Sequence, residues 1–210
     1  MQLNKFSLLV FVFLILKFNA QNFEGEIFFE INHVFHDSSR NNGRLPNNMK
    51  YIISGEFSKI NQSTSIGSQT IIKDTLSKKS ILLIKIMDDD IAIILENEKD
   101  TNEVVQITYK ENFKTILNYK CQKAIVNTYN KLSEKNSTSV VYFTTEISNS
   151  YSNNFNQLLG FPLSYEINSD NITSTYYAKK IIKSIINPQE FEVSKYTKTF
   201  TLKEFKKLMN

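Results

Sequence analysis

His33 and His36 are the two histidines of the chain, and their His-x-x-His spacing is one that zinc sites use. On a helix the pair would share a face. Here they continue a stretch that alternates like a strand, where positions three apart point to opposite sides. A zinc site also needs a third and a fourth ligand, and no convincingly spaced His or Cys remains to supply them. They read as histidines at a loop edge, and no metal site is assigned. Asp88-Asp89-Asp90, with Glu96, Glu98 and Asp100 beyond, raises the question of calcium. Calcium loops place oxygen ligands at alternating positions around a Gly that makes the sharp turn. Three adjacent aspartates running straight into Ile91-Ala-Ile-Ile do not follow that plan, and they read as a solvated hairpin turn.

Cys121 is the single cysteine, so no internal disulfide can form. Lys120 and Lys123 are placed to lower its pKa. Tyr119 and Ala124, however, mark a strand, in which a small buried Cys is the commoner state. Glu24, Glu26 and Glu30 alternate on one strand face and mimic the carboxylate pair of a hydrolase, but a solvated face accounts for them more simply. There is no Gly-x-Ser-x-Gly elbow, no Gly-rich phosphate loop and no dinucleotide fingerprint. Arg occurs only at Arg40 and Arg44, and Lys carries most of the positive charge, as suits solubility rather than bidentate anion recognition. No catalytic residue and no cofactor are assigned, and the chain is not expected to be an enzyme.

The elements that would position any site read as strands almost throughout. Phe23, Gly25, Ile27, Phe29 and Ile31 alternate with Glu24, Glu26, Phe28, Glu30 and Asn32, giving an apolar row and a largely acidic row. His33 to Asn48 then collects Asp, Ser, Asn, Gly and Pro as a loop does. Further strands are expected at 49–54, 57–60, 67–74, 80–87, 91–96, 104–109, 116–129, 139–147, 171–186 and 191–200. One irregular or helical turn is expected within 150–159. Leu202, Phe205 and Leu208 have helical spacing, with Thr201 as N-cap. Weak amphipathicity along the strands suits a curved antiparallel sheet with one wet face.

The N-terminus is read separately. Met1–Lys5 is a short start carrying one positive charge, Phe6–Leu16 is apolar apart from Ser7, and Ala20 is the small residue before the expected cut. That is the plan of a secretory signal peptide, residues 1–20, and the apolar run is about half the ~20 residues a membrane anchor needs. With no cysteine at the cut to carry a lipid, the mature chain, 21–210, is expected to be one β domain without a membrane span. Losing Lys5 and Lys17 lowers the formal charge from +4 to +2. That mixed, near-neutral balance gives no footing for nucleic acid.

Two stretches carry a family resemblance: Lys114-Thr-Ile-Leu-Asn-Tyr-Lys-Cys-Gln-Lys-Ala124 and Leu159-Gly-Phe-Pro-Leu-Ser-Tyr-Glu-Ile167. Asn118 stands where the chain must turn back, and Asn tolerates positive φ better than other non-Gly residues. Gly160 and Pro162 enter a strand, with Pro162 at the first position or an edge, where its missing N–H is harmless. Joined with the leader, the Phe-Glu-Gly-Glu-Ile opening strand and Val141-Tyr-Phe-Thr-Thr-Glu146, this order resembles the GLPGLI family of secreted bacterial proteins. The motif itself reads Gly-Phe-Pro-Leu here, keeping only the Gly-x-Pro core.

The resemblance implies a mainly β fold: an open, strongly curved antiparallel sheet, a half-barrel like that of periplasmic lipoprotein carriers, with one or two short helices. It also implies an exported protein, periplasmic or secreted, that binds rather than catalyses. On that reading the partner is a lipid or another hydrophobic ligand held on the concave face, and Phe29, Ile31, Tyr142 and Tyr176 are candidate lining residues. The alternative is an interaction protein that pairs with an envelope partner through an exposed strand edge. Asn118, Cys121, Gly160 and Pro162 are read as structural corners rather than chemistry.

Overall fold

The computed structural model describes residues 23–36, 45–86, 89–95, 102–169, 171–193 and 198–209. Its strands are β1 (Gly25–Phe35), β2 (Asn48–Ser54), β3 (Phe57–Thr64), β4 (Gly67–Asp74), β5 (Ser80–Ile86) and β6 (Asp89–Leu95), followed by β7 (Glu103–Ile116), β8 (Tyr119–Asn130), β9 (Lys135–Thr144), β10 (Phe161–Ser169), β11 (Ile172–Lys183) and β12 (Lys198–Thr201). All twelve lie in one open sheet in the order β12-β6-β5-β4-β3-β2-β1-β11-β10-β9-β8-β7. Consecutive strands from β1 to β6 and from β7 to β11 are neighbours, and the pairing of β11 with β1 joins the two halves. β12 runs parallel to β6, a pairing that the sequence did not suggest; every other pair is antiparallel.

Local chemistry sets the corners. Gly55 takes φ +55° between β2 and β3. Asp74 accepts the Leu76 and Ser77 amides between β4 and β5, and Asn130 accepts those of Leu132 and Ser133 after β8. Leu117 and Asn118 both have positive φ, 49° and 69°, in the two-residue turn from β7 to β8. Positive φ at both central residues is the type I′ geometry that matches the twist of a hairpin.

The sheet curls. Tyr51 on β2 and Phe161 on β10 are separated by two strands, a span of about 14 Å on a flat sheet, yet their ring centroids lie 5.1 Å apart. Phe29 on β1 likewise meets Tyr165 on β10 at 6.2 Å. The core therefore sits on the concave face, where Ile27, Phe29, Ile31, Tyr51, Ile53, Val126, Val141 and Tyr165 are buried.

Among the described residues, helix is confined to the 3-10 turns Asn149–Tyr151 and Pro188–Phe191 and to α1 (Leu202–Met209). Thr201 caps α1 as expected: its Oγ1 accepts the Glu204 amide at 3.2 Å, and Glu204 Oε2 accepts the Thr201 amide at 2.8 Å.

Several sequence-based boundaries shift. β1 continues through His33 to Phe35 because β11 supplies ladder partners as far as Ile172. Lys110–Thr115, expected between strands, belongs to β7 and contains an irregularity between Tyr109 and Phe113. Of the expected strand 191–200, Phe191 ends a 3-10 turn and only Lys198–Phe200 pairs, while 194–197 fall outside the described residues, as do residues 1–20.

Candidate functional site

The concave face is filled. Phe29 and Ile31 are each 2% exposed, and both belong to the packed core. Tyr176 pairs across the ladder with Ile31 and lies flat on Tyr165, with centroids 4.5 Å apart. Tyr142 is not part of this surface. It alternates with buried Val141 and Phe143, and through Ser164 it shares the opposite face with Tyr177. There the Lys114 ammonium sits 3.7 Å over its ring. Of the four candidate lining residues, the sheet thus brings three together and turns the fourth, partly buried against the core cluster, toward the opposite face.

What fills the concavity is the crossing from β9 to β10, residues 145–160. It buries Ile147, Tyr151 and Leu158, and Phe155 stands edge-on to Tyr165 at 5.4 Å. Its polar groups are tied to the far half of the sheet. Ser58 Oγ donates to the Tyr151 carbonyl at 3.2 Å, Tyr151 Oη to the Gly55 carbonyl at 2.7 Å, and Lys73 Nζ to the Ser152 carbonyl at 2.8 Å. Burial lowers the Lys73 pKa. Burial also raises the Tyr51 and Tyr165 hydroxyl pKa values, although each hydroxyl has a hydrogen-bond partner in the crossing segment.

The motif residues take structural places. Asn118 completes the hairpin turn. Cys121 is fully buried opposite Lys114, with its Sγ 3.5 Å from the Tyr119 carbonyl, and burial pushes its thiol up to about 11. Such a thiol is a poor nucleophile at neutral pH. Gly160 is required by close approach, since a Cβ there would lie 2.0 Å from the Thr144 carbonyl oxygen. Pro162 sits beside a register shift of β10 against β9, a place where a residue lacking an N–H is tolerated. His33 bridges Ser174 Oγ and the Pro46 carbonyl, at 2.9 and 2.8 Å, and His36 reaches Thr173 Oγ1 at 3.0 Å. Both imidazoles thus tie β1 to its neighbours.

The open sheet ends in two edges. β12 is four residues long and runs straight into α1. β7 is fourteen residues long and ends the sheet on the other side; among the described residues only β8 pairs with it. Its regular portion, Glu103-Val-Val-Gln-Ile-Thr-Tyr109, contains no Lys or Pro and a single charge, Glu103; the lysines and the irregularity of the kind that protects exposed edges come only after it. Val104 is 49% exposed, and Tyr109, at the end of the partly buried row Val105–Ile107–Tyr109, is 37% exposed. Beyond Tyr109 the ladder shifts, and the Lys110 carbonyl is taken by Gln122 Nε2 at 3.0 Å, so the free ladder ends there. A shallow polar groove of about 490 Å³, lined in part by Glu103, Thr128, Asn130, Lys135 and Asn168, adjoins the start of this edge.

No protein-family model matches the chain, and no curated protein matches it. The resemblance to GLPGLI proteins therefore rests on the quoted residues alone. The sequence marked Val104–Tyr109 as a strand, but its place at the rim depends on sheet order, which strand patterns do not encode. The available signal was negative: a β-branched run without Lys or Pro.

Proposed function

We propose that this chain is an exported, non-catalytic binding module that takes up a partner polypeptide by strand addition along β7. The observation that carries the reading is the seven-residue ladder Glu103–Tyr109, unpaired on its outer side among the described residues, at the rim of a packed core. An added strand would satisfy the free backbone groups, which supply affinity in such complexes. It would also cover the half-open row Val105, Ile107 and Tyr109. Export is supported by the leader pattern of Met1–Ala20. The filled concave face favours this reading over a resident lipid, because Phe29, Ile31 and Tyr165 already occupy the space a ligand would need.

The test is photo-crosslinking in the native envelope from a benzophenone side chain placed at Gln106, with the same group at Lys203 on α1 as control. A discrete adduct formed from Gln106 and not from Lys203 is expected. Absence of an adduct from Gln106, or identical adducts from both positions, would overturn the proposal.

A further inference from the structure

We infer that the polypeptide that pairs with β7 is a second copy of this chain, joined edge to edge about a two-fold axis through Gln106. The inference rests on the strand-addition reading and names its partner. Two identical strands that pair antiparallel about a two-fold axis normal to the sheet keep each face on its own side, so inward residues meet inward residues. Each possible axis passes through one residue, and the length of ladder left to pair distinguishes among them.

With the axis at Gln106, Val105 of one copy meets Ile107 of the other, Val104 meets Thr108, and Glu103 meets Tyr109. The two kinds of pair flanking Gln106, Val105 with Ile107 and Val104 with Thr108, are then β-branched against β-branched, the kind of cross-strand contact that stabilises sheets. Gln106 meets its own copy on the exposed outer face, and a primary amide can donate to and accept from an identical amide. Moving the axis to Ile107 leaves only Val105–Tyr109 to pair, five residues instead of seven, because the regular ladder ends at Tyr109. Moving it to Val105 shortens the pairing in the same way, to Glu103–Ile107, because β7 begins at Glu103.

The fold also favours closure at two copies. An isologous contact closes on itself, whereas a head-to-tail contact would need a second complementary edge and would propagate into a filament. Among the described residues, the other edge offers the four residues of β12 before α1 begins. The join then continues the row Val105–Ile107–Tyr109 across both copies and covers the Tyr109 rings, each of which already packs edge-on against Phe143 at 5.6 Å.

Sedimentation equilibrium of the purified protein across roughly 1–100 μM, the range suited to an interface of modest area, tests this. The apparent mass is expected to double as concentration rises. Gln106→Glu and Gln106→Lys each place two like charges across the axis, so each variant alone should remain at monomer mass. An equimolar mixture of the two should recover the doubled mass. Circular dichroism of both variants should match the unsubstituted protein, since residue 106 is exposed. A wild-type mass that stays monomeric throughout would overturn the second-copy inference, while a Gln106 crosslink to another protein would leave strand addition standing. A dimer that both single variants retain, or that their mixture does not restore, would overturn the axis at Gln106.

Discussion

Replacing Phe29 by Ala separates a filled core from a lined cavity. Phe29 is 2% exposed, and its ring lies 5.8 Å from that of Tyr51 and 6.2 Å from that of Tyr165. Truncating a buried Phe loses its transfer free energy and leaves a cavity, together about 3–5 kcal/mol. The two tilted ring pairs add to that tendency, each worth about 0.5–1.5 kcal/mol beyond area. A loss of about 4 kcal/mol corresponds to a fall in Tm of roughly 8–16 °C for a chain of this size. The chain has no Trp and ten Tyr, so tyrosine fluorescence in a urea titration reports unfolding. The midpoint should drop while the slope m holds, because the unfolded surface changes little. A loss below about 1 kcal/mol at unchanged m, the size of an ordinary surface substitution, would show that Phe29 borders open space and would refute the filled-core argument.

Other substitutions probe the corners and the thiol. Gly160→Ala drives a methyl group into the Thr144 carbonyl; because the obstacle is backbone, the cost should be about 3 kcal/mol, read as a lowered urea midpoint. Asn118→Gly relieves a non-Gly residue held at φ 69° and should stabilise by about 0.5 kcal/mol, measured in the same titration. Burial raises the Cys121 thiol from its ordinary pKa of 9.0 to about 11, so the fold favours the neutral thiol. Its stabilisation is complete below the unfolded thiol's pKa and is lost as pH climbs from 9.0 to about 11. Cys121→Ala should therefore flatten the fall in stability over that window, and an unchanged slope would contradict the assignment. From pH 10.0 upward, ionisation of the buried Tyr51 and Tyr165 should destabilise both proteins further, because burial raises those hydroxyls above their ordinary value of 10.0.

Much of the architecture was legible because alternation is a local signal. The row Gly25, Ile27, Phe29, Ile31 is buried in the order the pattern required. The capping of α1 by Thr201 needs only the residues Thr201 to Glu204. The candidate lining was less legible, since parity shows that Phe29 and Ile31 share a face but not that residues 145–160 occupy the space before it. Tyr142 was grouped with them because ladder partners across three strands were unknown; the row Tyr142–Ser164–Tyr177 settles its side. Gly160 reads from sequence as a turn residue, whereas the structure shows close approach to the Thr144 backbone as the constraint. The edge position of β7 and the parallel join of β12 to β6 depend on contacts between distant segments, which no local pattern carries.

Amide hydrogen exchange along Glu103–Tyr109 tests the central claim most directly. In dilute protein, the amides of β7 bonded to β8 should exchange slowly and the alternate ones quickly, as a free edge requires. On raising the concentration, or on adding envelope extract, the fast set should become protected together. Fast amides that stay unprotected under both conditions, or alternate amides already slow in dilute protein, would contradict strand addition at β7.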